Sequence, residues 1–201
     1  MIIAVDGPAA SGKGTLARRL AEHLGLVHLD TGRLYRAVAL AVMRENGNPE
    51  NQEDALKAAQ TLDNLDLSDP ELRTEAVGNA ASLVARHQSV RKTLLDYQRE
   101  VAARGAVLDG RDIGTVVCPD ADHKLFVTAS LEARAARRHA ELVARGNRVS
   151  LAEIKAEMAE RDRQDQERSI SPLRPAPDAH LLDTTNLDID SAFSTALALV
   201  S

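Results

Sequence analysis

Short apolar runs alternate along this chain with segments of helical periodicity. Residues 1–5 form an apolar run typical of a buried parallel strand, and Leu16, Leu20 and Leu24 follow at the spacing of one helix face. Strands that alternate with helices favour a parallel α/β sheet. We therefore expect a parallel five-stranded sheet flanked by helices. The same patterns predict further strands at 27–29, 106–108, 124–127 and 180–182, and helices over 34–44, 53–62, 71–86, 90–103 and within 131–168.

Length and composition limit the class of protein. A chain of 201 residues with 44% hydrophobic content can bury the core of one domain, and we see neither an internal repeat nor a low-complexity tract. The net charge of −5 and the aromatic content of 2% argue against a nucleic-acid binder, which normally carries a basic surface and stacking rings. The partners we expect are small molecules.

The cysteine count and the hydrophobic runs bear on location. Cys118 is the single cysteine, so neither an intramolecular disulfide nor a cysteine-based metal cluster can form, which suits a reducing cytoplasm. The first apolar run leads straight to Asp6 and a glycine-rich turn, without the pattern of a secretion signal or a membrane span. We therefore expect a cytoplasmic protein that binds no membrane.

The strongest functional signal lies between the first strand and the first helix. Two glycines allow the backbone to curl so that successive N–H groups point at phosphate oxygens, and the helix that follows adds its positive dipole end. A lysine in this turn supplies a mobile positive charge. A glycine-rich turn alone need bind nothing, but the complete pattern in this context favours a nucleotide. The predicted cofactor-binding residues are Gly7, Pro8, Ala9, Ala10, Ser11, Gly12, Lys13, Gly14 and Thr15.

The residue after the lysine distinguishes between classes of phosphate loop. In the general pattern a Ser or Thr follows the lysine directly and binds Mg²⁺, whereas here Gly14 intervenes before Thr15. The GKGT variant is typical of nucleoside monophosphate kinases and points away from switch GTPases. We expect Mg²⁺ to be held mainly by phosphates, waters and nearby acids, with Asp109 the best candidate and no metal ligand directly assigned.

Three more segments carry candidate site residues. In Leu29-Asp30-Thr31-Gly32-Arg33-Leu34-Tyr35-Arg36, Thr31 is predicted to cap a helix and Arg36 to project from its first turns. The run from Asp109 to Val117 places Arg111 between two acids at a strand end, where ligands gather. Further on, Arg161, Asp165 and Arg168 have spacings that put them on one helix face. Taken singly, each segment could instead be a capped helix, a loop ion pair or a solvated helix face.

Together with residues 169–179, these segments resemble the bacterial-type cytidylate kinases, which are P-loop kinases for CMP and dCMP. The resemblance covers both ends and the centre of the chain. It implies transfer of the γ-phosphoryl group of ATP to CMP or dCMP with Mg²⁺. It also implies a single P-loop kinase domain over 1–201, with a core at about 1–30, 87–130 and 170–201, a helical monophosphate-binding region at about 31–86 and an arginine-rich lid at about 131–169. We expect the protein to be a monomer.

The resemblance also implies roles for individual residues. Thr31, Arg99 and Asp112 would contact the cytosine, Asp165 and Arg168 the sugar, and Arg36, Arg111 and Arg161 the acceptor phosphate. Lys13, Arg111 and Arg161 would be the catalytic residues. The chain departs from the family at Arg33, where a small residue is frequent, and in a shortened stretch at about 65–73. The lid candidates are Arg134, Arg137, Arg138, Arg145 and Arg148.

Two alternatives stay open at this point. The chain could be a P-loop kinase for another small acceptor, such as shikimate, dephospho-coenzyme A or a different monophosphate. It could also be a nucleotide-dependent binding module without transfer activity, although the acceptor-side arginines in three segments would then have no purpose. A panel of acceptors in an ADP-release assay separates these readings.

Overall fold

The structure, a computed structural model, describes residues 1–200. Within these residues the chain alternates strands and helices, as the sequence patterns predict. Short single turns lie at Leu62–Asn64, Pro70–Arg73 and Ile113–Val117. The strands are β1 Ile2–Asp6, β2 Val27–Asp30, β3 Ala106–Gly110, β4 His123–Thr128 and β5 His180–Asp183; the helices are α1 Lys13–Leu24, α2 Thr31–Arg44, α3 Gln52–Ala59, α4 Glu75–Val84, α5 Gln88–Ala103, α6 Leu131–Ala144, α7 Leu151–Glu167 and α8 Ile189–Leu199.

The strands form one five-stranded parallel sheet in the order β2-β3-β1-β4-β5. The central strand β1 pairs in parallel with β3 and β4, and β4 pairs in parallel with β5. Ile3, Ala4 and Val5 are completely buried, as expected for a strand covered on both faces. The predicted parallel α/β sheet is confirmed. The loops after β1 and β3 leave neighbouring strands at the carboxyl edge, where ligands bind in such sheets.

The chain forms two compact units. The first comprises Met1–His28 and the chain from Gly105 onward. Its core lies between the sheet and α1, with Leu16 and Leu20 packed against Val5 and Val107. Helix α8, which our sequence analysis did not predict, adds Ala196 to this core.

The second unit is Leu29–Arg104 and contains helices α2 to α5. Leu34, Val38, Val84 and Leu94 form its fully buried centre. Helix α5, which lies within the predicted core segment 87–130, belongs to this second unit. The division into a core, a monophosphate-binding region and a lid stays a prediction.

Two predicted helix starts differ from the structure. Thr31 was expected to cap α2, but the cap is Asp30, whose carboxylate accepts the Arg33 backbone N–H at 3.1 Å, and Thr31 is the first helical residue. The helix predicted over 71–86 begins only at Glu75, because a 3₁₀ turn starts at Pro70 and Thr74 then caps the helix. Both errors concern capping side chains. None of the helices formed by residues 1–200 has the length and apolar character that a membrane crossing requires.

Candidate active site

The loop between β1 and α1 is pressed against the sheet. A Cβ atom at Gly7 would lie 2.0 Å from the carbonyl oxygen of Val127 in β4, so only glycine fits there. Ala10 and Gly12 have left-handed φ angles of 57° and 90°. For Ala10 this conformation costs roughly 1–2 kcal/mol. Left-handed residues spaced in this way curl the backbone into a concave arrangement of N–H groups that binds anions.

Helix α1 presents an uncapped N-terminus to this loop. Its N-cap is Gly12, which supplies no side chain, and the first turn contains no acidic residue. The N–H groups of a helix's first turn have no intrahelical partner and attract anions. Ser11 is completely buried, and its Oγ atom has no hydrogen-bond partner in the described part of the chain. Lys13 is the first residue of the helix. The predicted phosphate loop therefore has the geometry of an anion site.

Asp109, at the end of β3, faces the start of α1. Its side chain is 4% exposed, and its two carboxylate oxygens lie 3.7 and 3.9 Å from the position that a Cβ of Gly14 would occupy. His28 Nε2 lies 2.7 Å from Asp109 Oδ2. His28 is not among the predicted site residues, because a lone histidine in a short strand gives no signal of its partner.

The donor set fits a magnesium ion held jointly with a nucleotide. Mg²⁺ usually binds one or two carboxylates together with substrate phosphates, and Asp109 supplies one carboxylate beside the phosphate loop. Among residues 1–200, no group of three or more His, Cys, Asp or Glu side chains could hold a metal by itself. The residues present therefore suit Mg²⁺ bound with phosphate rather than a closed protein cage.

Asp6, at the end of β1, organises the loop after β3. Its carboxylate oxygens accept the backbone N–H groups of Ile113 and Gly114, each at 2.8 Å. Burial raises the pKa of Asp6 to about 6, although these two hydrogen bonds act in the opposite direction. From the sequence, Asp6 is only the residue after the first apolar run, and it is not among the predicted site residues. Asp6 in fact holds the segment that carries Arg111 and Asp112.

The segment after Asp112 is a single π-helical turn. The N–H groups of Val117 and Cys118 donate to the carbonyl oxygens of Asp112 and Ile113, at 3.2 and 2.7 Å, in the i to i+5 pattern. Such turns occur frequently at functional sites. The turn and the Asp6 carboxylate together fix the backbone immediately after the predicted acceptor residues.

The predicted acceptor residues of the first unit gather around one buried carboxylate. Arg111 Nε donates to Asp165 Oδ2 at 2.8 Å, and their side chains are 17% and 11% exposed. Arg168 Nη1 lies 3.9 Å from Asp165 Oδ1, and Arg168 Nη2 lies 3.9 Å from Asp112 Oδ1. Burial by itself would raise the pKa of Asp165, but the charges of Arg111, Arg161 and Arg168 outweigh burial and hold this pKa below its usual range. The structure thus brings together Arg111, Asp112, Arg161, Asp165 and Arg168.

The reason for this gathering differs in part from the prediction. Helix α7 ends at Glu167, and Arg168 has an extended backbone with ψ of 138°, so the three residues do not share one helix face. The chain turns instead, and the Leu173 N–H donates to the Asp165 carbonyl oxygen at 2.8 Å. This turn brings Arg168 back toward Asp165 and Asp112. The prediction of a common helix face was wrong for Arg168, although the residues do meet.

Three other predicted substrate residues lie in the unit Leu29–Arg104. Thr31 is buried at the start of α2, and Arg99 is exposed on α5. Arg36 Nη1 donates to the carbonyl oxygen of Leu72 at 2.8 Å, and its guanidinium lies against Gly78. In this unit, Arg36 therefore joins α2 to the turn before α4.

The five lid candidates fall into two groups. Arg134 and Arg137, on α6, donate to main-chain carbonyl oxygens of Ala129 and Thr184 in the sheet-bearing unit. Arg138 and Arg145 pair with Glu141 of the same helix, whereas Arg148 is exposed in the segment between α6 and α7. Sequence reasoning could not separate the groups, because all five belong to one polar, arginine-rich region.

Lys124 is a further buried polar residue that is not among the predicted site residues. Its side chain is only 8% exposed, and Nζ donates to both carboxylate oxygens of Asp178, at 3.0 and 2.7 Å, and to the Pro119 carbonyl oxygen. Lys124 therefore joins the end of the Gly110–Cys118 loop to the segment that follows Arg168. A lysine within a predicted buried strand was the available signal.

The fold and this site define the class of protein. A parallel sheet with a glycine-rich loop and an uncapped helix after β1, facing a buried carboxylate at the end of β3, is the arrangement of a P-loop kinase. The family model described as cytidylate kinase matches residues 3–201. The chain belongs to the cytidylate kinase family, as its sequence motifs predict.

Individual relatives support this assignment. A cytidylate kinase of Granulibacter bethesdensis is 58% identical over 201 residues, which cover 100% of this chain and 96% of the relative. A cytidylate kinase of Methylocella silvestris is 54% identical over 202 residues, with 100% and 94% coverage. The crystal structure of an uncharacterized protein from Eubacterium ventriosum aligns with a TM-score of 0.60 over 100% of this chain and 98% of its own, at 14% identity. That likeness concerns the fold alone.

Proposed function

We propose that this protein transfers the γ-phosphoryl group of ATP to CMP and dCMP, giving ADP and CDP or dCDP. The observation that carries the proposal is the group of arginines around Asp165, which lies in the same compact unit as the phosphate loop. A P-loop protein that only binds or hydrolyses a nucleotide has no need for such a group. The names of the relatives point to the same reaction.

On the donor side, the loop Gly7–Gly12 and the start of α1 bind the phosphates of ATP. The converging N–H groups hold the oxygens, and Lys13 follows the transferring group with its mobile charge. Asp109, with the phosphates themselves, would hold Mg²⁺. When bound, Mg²⁺ supplies positive charge that offsets the negative charge of the β- and γ-phosphates.

On the acceptor side, the residues divide between base, sugar and phosphate. Thr31, Arg99 and Asp112 contact the cytosine, and Asp165 and Arg168 bind the sugar. Arg36, Arg111 and Arg161 bind the phosphate. The hydrogen bond from Arg111 to Asp165 gives both side chains a defined orientation before substrate binds, which lowers the cost of ordering them.

The chemistry requires positioning and charge, with no covalent intermediate. The transferring phosphoryl group passes through a loose transition state, and an oxygen of the CMP phosphate attacks in line as the β–γ bridging bond breaks. Lys13, Arg111 and Arg161 stabilise the charge on the equatorial oxygens. A lid formed by the region 131–169 would close over both nucleotides and exclude water.

An ADP-release assay over a panel of acceptors tests the reaction. With ATP and Mg²⁺, we expect release with CMP and dCMP well above that with UMP, AMP, shikimate or dephospho-coenzyme A. If another acceptor gave the fastest turnover, that acceptor would replace CMP in this proposal. Binding of ATP without acceptor-dependent release of ADP would indicate a nucleotide-binding module that transfers nothing. We also propose that the protein acts in the cytoplasm as a monomer. Light scattering should then give the mass of one 21.7 kDa chain.

A further inference from the structure

The guanidinium of Arg134 joins the phosphate loop to two other segments. Its side chain is 6% exposed, so its donors face protein rather than water. Nη1 donates to the Ala9 carbonyl oxygen at 3.2 Å, and Nε donates to the Ala129 carbonyl oxygen, just after β4, at 3.0 Å. Arg134 therefore contacts the loop from the side of α6, through main-chain oxygens.

Asp162 anchors the same guanidinium. Arg134 Nη1 and Nη2 donate to the two carboxylate oxygens of Asp162, on α7, at 3.2 and 2.6 Å, and the Asp162 side chain is 15% exposed. This two-point pairing fixes the plane of the guanidinium as well as its position. With Asp162 in place, the Nη1 hydrogen that faces Ala9 has a defined direction.

A second arginine of α6 supports the loop through an intermediate residue. Arg137 Nη1 donates to Thr184 Oγ1 at 3.0 Å, and Arg137 Nη2 donates to the Thr184 carbonyl oxygen. The Thr184 hydroxyl in turn shares its one hydrogen between the carbonyl oxygens of Ser11, at 2.9 Å, and Thr128, at 3.1 Å. The arginines at 134 and 137 thus support alternate carbonyls of the loop, at positions 9 and 11.

The geometry of the peptide bond gives these contacts a consequence for phosphate binding. In a planar trans peptide the C=O and N–H groups point in opposite directions. Hydrogen bonds hold the Ala9 and Ser11 carbonyl oxygens toward the residues that support the loop. The N–H groups of Ala10 and Gly12 therefore point away from those residues. Ala10 has the unfavourable φ of 57°, a conformation that persists when surrounding contacts fix it.

We propose that Arg134, anchored by Asp162, is a positioning residue that orients the Ala9–Ala10 peptide for the donor phosphates. Arg137 acts on Ser11 in the same way through Thr184. These two arginines belong to the support of the phosphate loop, and the lid function falls to Arg138, Arg145 and Arg148. This inference rests on the proposed function, because it takes the loop to bind the phosphates of ATP.

Calorimetric binding of ADP and of CMP, each measured alone, tests the proposal. Arg134→Lys keeps the charge but cannot bond Ala9, Ala129 and both Asp162 oxygens at once. We expect its ADP dissociation constant to rise about tenfold, as for one lost hydrogen bond to a charged group, while that for CMP changes less than about twofold. Asp162→Asn should weaken ADP binding by about threefold, because the guanidinium loses its anchor but keeps its bond to Ala9.

Controls separate positioning from general damage. Arg163→Lys changes an exposed arginine of α7 that pairs with Glu160 and Glu167, and it should bind both nucleotides as the unaltered protein does. If Arg134→Lys does not fold, Thr184→Val provides the test through Ser11, with ADP binding weakened by about threefold and CMP binding unchanged.

Two results would overturn the inference. One is unchanged ADP affinity in folded variants at 134, 162 and 184, and the other is an equal loss of ADP and CMP binding, which marks a merely structural role. A failure of the proposed function looks different, because the unaltered protein itself would then bind no ADP or transfer nothing to CMP. Of these two failures, only the loss of ADP binding by the unaltered protein would also remove the inference.

Discussion

The buried carboxyl of Asp6 should make this protein less stable as the pH rises from about 4 to about 6. Burial raises the pKa of Asp6 from 3.8 to about 6, so the folded state binds this proton more tightly than the unfolded state does. Stability falls with pH wherever the folded state holds more protons. The contribution of Asp6 is therefore most favourable below pH 3.8 and is lost as the pH passes through 6.

The size of the effect follows from the difference between the two pKa values. They differ by 6 − 3.8, roughly two units, and each unit corresponds to about 1.4 kcal/mol, so ionised Asp6 costs the folded state about 3 kcal/mol in full. Between pH 4 and pH 7 the expected change is about 2 kcal/mol. Asp112 and Arg111 are the charged neighbours of Asp6, and their effects on its pKa are opposite and smaller than that of burial.

Urea unfolding of the unaltered protein and of Asp6→Asn measures this contribution of Asp6 to the unfolding free energy. The asparagine side chain of the variant does not titrate, so subtracting the unfolding free energy of the variant at each pH removes the contributions of the other groups. Circular dichroism is the suitable signal, since the chain contains no tryptophan. From pH 4 to pH 7, the unfolding free energy of the unaltered protein should fall by about 2 kcal/mol relative to that of Asp6→Asn.

A difference that stays constant over this range would refute the reasoning, because Asp6 would then titrate alike in both states. A change of the opposite sign would mean that the bonds from Ile113 and Gly114 outweigh burial.

Three further predictions concern the site. Lys13→Ala should lower kcat for CMP by ~10²–10³, as for loss of one charge-stabilising donor, whereas Lys57→Ala, at an exposed pair with Glu45, should leave kcat unchanged; near-normal turnover of the first variant would exclude its role. Gly7→Ala should abolish ATP binding in calorimetry, because its Cβ would lie 2.0 Å from a carbonyl oxygen; Gly25→Ala also has a positive φ but open space, and should retain binding. Asp165→Ala should raise the KM for CMP and weaken discrimination between CMP and dCMP, and kinetics with both acceptors that are unchanged from those of the unaltered protein would contradict its contact with the sugar.

The depressed pKa of Asp165 gives a dependence of opposite sign to that of Asp6. The stability that its arginine neighbours confer is present above the usual pKa of an aspartate and is lost as the pH falls through the lower folded value. The two carboxyls therefore counteract each other in acid.

The sequence alone determined the sheet type, the phosphate loop and the family. These features depend on residues close together in the chain: the motif is nine consecutive residues, which follow β1 directly and include the first three residues of α1. The motif residues around Arg111 and Asp165 could also be selected, since their segments match a known pattern. The prediction that a common helix face brings Arg168 to Asp165 was nevertheless wrong, although the two residues do meet.

Only the tertiary structure decided which groups support the site. Asp6 accepts a hydrogen bond from a residue more than a hundred positions away, and Arg134 donates to the Ala9 carbonyl oxygen. Lys124 pairs with Asp178, which follows helices α6 and α7 in the chain. Such contacts depend on the path of the chain through the sheet and on which polar groups are buried together. Local patterns do not contain that information, because an arginine in a polar helical region looks the same whether it supports a loop or faces a substrate.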